Sequence, residues 1–155
     1  MATPAEVRER FEQLRSEYLT IAAECMLENK EEIVGLLVHQ QYEESVDSDG
    51  KPLREYSAPY LRHKQLAGKP TRTTLNETGE FQTTMNLRVD PAQNEYEIES
   101  PSTVSNGYLK SDILNTWNEK GGGGEVMNLT KENEALIFPI IEESFTEKCK
   151  EKLLL

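Results

Sequence analysis

The chain is poor in the residues that most often carry chemistry. Its 155 residues include two cysteines, two histidines and one tryptophan. Cys25 and Cys149 lie far apart in segments of helical pattern, with no CxxC and no Cys/His cluster, so a zinc site has no basis. They read as small core residues of a reduced, intracellular protein. His39 and His63 have no Cys, Asp or second His at ligand or triad spacing. No GxSxG, HExxH or GxGxxG is present, and acidic pairs carry no information in a chain with 28 Asp and Glu. The expectation is a protein that is not an enzyme, with no catalytic residue, metal or cofactor. Long apolar runs are missing too: the longest is 135–141, which is too short for a membrane span, and the N-terminus lacks a signal-peptide core.

Positive charge is also scarce. Against 17 Lys and Arg the net charge is -11, so the basic footprint of a nucleic-acid binder is absent. The excess acid serves solubility, or forms a wall that repels phosphates and lets nucleic acid pass without being gripped. Apolar residues make up 36% of the chain, a thin core for one domain. Stability borrowed from neighbouring copies would make up the difference.

What is present reads as an α+β chain, mostly helical. Thr3-Pro4-Ala5-Glu6 is a helix start, and Val7, Phe11, Leu14, Tyr18, Ile21 and Cys25 follow at alternating steps of four and three. One long helix is expected over 4–43, interrupted in its apolar face at 28–32 and open to a break near Asn29. At about 60 Å it would outrun its own domain and meet another protomer. A structured loop with a short helix is expected over 44–80. Asp47-Ser48-Asp49-Gly50 opens it, but Gly50 comes too early for a calcium loop. Alternating apolar and polar residues predict a β-hairpin within 82–100, with strands at 82–89 and 95–100. A helix at 107–118, a Gly-rich linker at 119–129 built on four consecutive glycines, and a C-terminal helix at 130–154 complete a single domain. The glycine run lacks the Lys-Ser/Thr pair of a phosphate loop. Pro139 is expected to kink or restart the last helix, and the terminal leucines to dock on something.

Between 47 and 85 the chain carries Asp49-Gly50-Lys51-Pro52-Leu53, Tyr56-Ser57-Ala58-Pro59-Tyr60, Lys64, Leu75-Asn76-Glu77-Thr78-Gly79-Glu80-Phe81 and Met85. This segment, about 40 of the 155 residues, resembles the virion-morphogenesis and tail-completion proteins of tailed bacteriophages, including those of Bacteroidetes prophages and crAss-like phages. Leu53 stands where that pattern has Trp, Thr84 where it has Ser, and the C-terminal aromatic-Gly signature has no match. The resemblance implies a virion protein at the portal, neck and tail junction, assembled in the host cytoplasm. Its partners would be copies of itself in a ring and neighbouring neck, tail or portal proteins, with DNA only as passing cargo and no membrane. The alternative is a cytoplasmic adaptor that dimerises through its first helix. The residues expected at interfaces are Phe11, Leu14, Tyr18, Tyr60, Arg62, Lys64, Phe81, Met85 and Leu154.

Overall fold

The computed structural model describes residues 1–76 and 79–154. The chain opens with α1 (Pro4–Glu28), started by a reciprocal cap. The Thr3 hydroxyl accepts from the Glu6 amide at 3.2 Å, and the Thr3 amide donates to the Glu6 carboxylate at 2.7 Å. That bond holds the exposed Glu6 carboxyl below its ordinary range. The expected long helix is divided. Asn29 leaves helical geometry, its side chain donates to the Cys25 carbonyl at 2.8 Å, and α2 (Lys30–His39) starts afresh. A widened π turn (Gln40–Glu44) follows, and Ser45 in the left-handed region ends it.

Beyond α2 come α3 (Ala58–Leu66) and the single-turn α4 (Glu80–Thr83). Residues 82–85 were expected to begin a strand, but Gly79 at φ +84 redirects the chain and the Thr83 and Thr84 hydroxyls donate back to carbonyls of that turn. Strands β1 (Asn86–Asp90) and β2 (Glu95–Glu99) then pair antiparallel, Leu87 opposite Ile98 and Val89 opposite Tyr96. Leu87 and Ile98 are buried in the core, β1 packing on α1 and α2, while Arg88 spans Glu97 and Glu99 on the outer face. The Asp90 carboxylate closes the turn by accepting from the amides of Ala92 and Gln93.

The C-terminal part holds α5 (Lys110–Lys120), the one-turn α6 (Lys131–Glu134) and α7 (Ile137–Leu153). The helix expected over 130–154 is thus two pieces: Thr130 caps the first, and Pro139 falls in the opening turn of the second, where its missing N–H costs nothing. Ile21, Cys25, Ile33, Leu37, Leu53, Phe81, Leu87, Ile98, Val126, Ile137 and Ile141 form one apolar core. The architecture is α+β and mostly helical, a two-stranded sheet laid on a helical layer, as the sequence pattern predicted.

Candidate interaction surfaces

The glycine run, expected to be a linker, is a packed part of the molecule. Asp47 is fully buried, and its carboxylate accepts four hydrogen bonds. Oδ1 takes the amides of Asp49 and Lys51; Oδ2 takes the Gly124 amide at 2.8 Å and the Asn118 side chain at 3.2 Å. Asn118, also fully buried, donates to the Gly124 carbonyl and accepts from the Arg54 amide. A Cβ on Gly123 would lie 2.4 Å from Asn118 Nδ2 and 2.7 Å from Asp47 Oδ2; one on Gly124 would lie 2.6 Å from Asp49 Oδ2. Gly123 and Gly124 are therefore required by close approach of two loops. The same contacts account for the Asp47 turn: its oxygens are filled by N–H groups, and among the described residues no group of His, Cys, Asp and Glu is placed to hold a metal.

A second polar set lies under α2. Gln40 and Gln41 are fully buried. Gln40 donates to the Asn128 carbonyl and accepts from the Thr130 amide and the Asn133 side chain. Gln41 donates to the Val126 carbonyl and accepts from Gln82, which also donates to the Thr74 carbonyl. Both Gln82 donor bonds use its nitrogen, so its buried Oε1 has no hydrogen-bond partner among the described residues. These glutamines escaped the sequence reading; the only signal was a polar pair continuing the apolar face of α2.

Around α3, Arg54, Lys64 and Arg72 are engaged inside the chain. Lys64 is 1% exposed, with its ammonium 4.6 Å from the Tyr56 ring centre and 5.6 Å from that of Tyr60, and no hydrogen-bond partner among the described residues. Arg54 lies over Trp117 and donates to its carbonyl; Arg72 lies over Tyr42 and donates to the Tyr42 carbonyl. Arg62 and His63 are exposed, and Tyr60 is half-buried, edge-on to Tyr56. Phe81 is buried in the core, so Lys64 and Phe81 are internal supports of this face rather than groups it presents. Met85 is buried but lines a surface groove of about 820 Å³ against α2.

A further uncovered feature is a two-helix arm. Across 4–20 of α1 and 142–154 at the end of the chain, no residue is fully buried. The two segments run antiparallel, joined by Lys148 to Glu24 and Glu28, by Lys152 to Glu17 at 3.1 Å, and by Arg10 to the Leu154 carbonyl. Lys152 and Gln13 hold the Glu17 carboxyl below its ordinary range, and Glu28 raises Lys148 above its own. Ile21 and Cys25 of the sequence stripe enter the core and Leu14 packs at its edge, while Val7, Phe11 and Tyr18 stay 39%, 55% and 50% exposed. Leu154 is exposed at 68%. The structure thus leaves Phe11, Tyr18, Arg62 and Leu154 on the surface, and sets Leu14 and Tyr60 halfway.

Among the described residues no helix is long and apolar enough to cross a membrane. Compared with family models, curated proteins and solved structures, the chain finds no match.

Proposed function

We propose that this chain is a structural subunit of a tailed-phage particle, an oligomeric component of the junction between portal, neck and tail. The observation that carries the reading is the arm: one apolar stripe begins in the core at Cys25 and Ile21 and continues outward through Tyr18, Phe11 and Val7, which stay 50%, 55% and 39% exposed. An antiparallel helix pair without a buried residue gains little of its own, since helices take most of their stability from packing an apolar face. A subunit designed to be covered by others explains that, and a free-standing enzyme does not. The phage resemblance of 47–85 agrees with it, and the buried Asp47 and Lys64 tie the 47–54 turn and α3 into the fold. With a net charge of -11, a ring of such subunits would present DNA with a repelling wall.

Loss of the gene in a producing host is expected to leave DNA-filled heads and unattached tails, seen by negative-stain microscopy. Normal particles from the deletion strain would sink the proposal. The adaptor alternative uses the same arm in an isologous dimer and expects that normal outcome.

A further inference from the structure

Two unsatisfied surfaces on this molecule complement each other. The first is the stripe of the arm. At about 3.6 residues per turn, Val7, Phe11, Leu14 and Tyr18 share one face of α1. One flank of that face carries Arg10, Glu17, Glu24 and Glu28, all engaged by the C-terminal segment. The other flank carries Arg8 and Arg15, both exposed; Arg8 pairs with Glu12 at 3.2 Å, and Arg15 has no ion-pair partner among the described residues.

The second surface is the 820 Å³ groove between α2 and the residues around α4. Its floor is Val34, Gly35, Val38 and Met85, and a Cβ on Gly35 would meet nothing within 4 Å. Bare backbone there lets another helix come close. Glu31 and Glu43, both exposed, lie on its rim beside Lys30 and His39; Glu43 pairs with Arg72 at 3.7 Å, while Glu31 has no ion-pair partner among the described residues.

We infer that the arm of one copy lies in the α2 groove of the next. Phe11 and Val7 cover the Val34, Gly35 and Val38 floor, and Arg15 faces Glu31. The arm cannot fill its own groove, because the stripe it continues is already fixed in the same core through Ile21 and Cys25. Arm and groove are different patches, so the contact runs head to tail, which closes a ring or extends a filament. This rests on the oligomeric reading above and names the surfaces it would use.

Sedimentation velocity of the full chain over a wide concentration range tests it. The wild type is expected to self-associate. Gly35→Trp, which fills the groove at an open position, and Phe11→Glu, on the exposed stripe, are each expected to give monomers with unchanged circular dichroism. Mixed together they should form heterodimers and nothing larger, since only one good arm and one good groove remain. Arg15→Glu and Glu31→Arg should each weaken association about tenfold and the double variant restore it, the coupling expected of a close charge pair. A wild type that stays monomeric throughout, an indifferent Gly35→Trp, or single charge reversals that the double variant does not rescue would overturn the contact. If the protein is nonetheless found in particles, only the contact is wrong and the structural role stands.

Discussion

At the scale of single residues, burial decides what each group can do. The four glycines illustrate it. Gly123→Ala forces a Cβ against Asn118 and Asp47 and parts the loops they join, an expected cost of about 2–4 kcal/mol. Gly122 has φ +88 and open space, so Gly122→Ala carries only backbone strain of about 1–2 kcal/mol. Urea unfolding of the two variants separates them; equal, negligible effects would mean that the run is a linker after all. Lys64 is the opposite case, a buried ammonium with only two aromatic rings around it. Desolvation of an unpaired ion costs several kcal/mol, and cation–π contact returns about 2. Lys64→Met keeps the stem and removes the charge, so its unfolding midpoint is expected to rise. A loss of stability would show that the rings outweigh the desolvation.

Among the elements, legibility follows the range of the interactions. The start of α1 was readable because its cap lies within Thr3 to Glu6, and the strands because alternation is local. The turn of α4 was misread as strand because Gly79's positive φ overrides the β-like pattern of Gln82 to Met85. The order of the glycine run was invisible for a different reason: Asn118 reaches Asp47 across 71 residues, and composition records nothing of such a meeting. The same holds for the groove, since Gln41 and Gln82 meet across 41 residues. The stripe on α1 was legible as a stripe, but which half of it the core would cover was not. The arm's ion pairs give the element a pH dependence. Glu17 has its folded pKa below the ordinary 4.5, so its contribution is complete above that value and is lost as pH falls through the lowered one. Lys148 is raised, so its contribution is lost only in strong alkali. Amide hydrogen exchange in 4–20 and 142–154, corrected for intrinsic rates, is expected to lose protection below about pH 4.5 before the core does. Simultaneous loss in arm and core would contradict an arm held separately by those pairs.

At the scale of the whole molecule, thin apolar content and an uncovered arm are one fact seen twice. The core that exists is closed by polar knots at Asp47 and at Gln40 and Gln41, and the remaining apolar stripe points outward. Such a chain fits the proposed role as one part of a larger assembly. We propose that this assembly is a virion. Quantitative mass spectrometry of purified particles tests it directly. The account predicts the protein in intact particles, at a fixed copy number per particle that matches the portal-associated components. Its absence from particles, with the chain recovered only from the soluble fraction of the host, would contradict it.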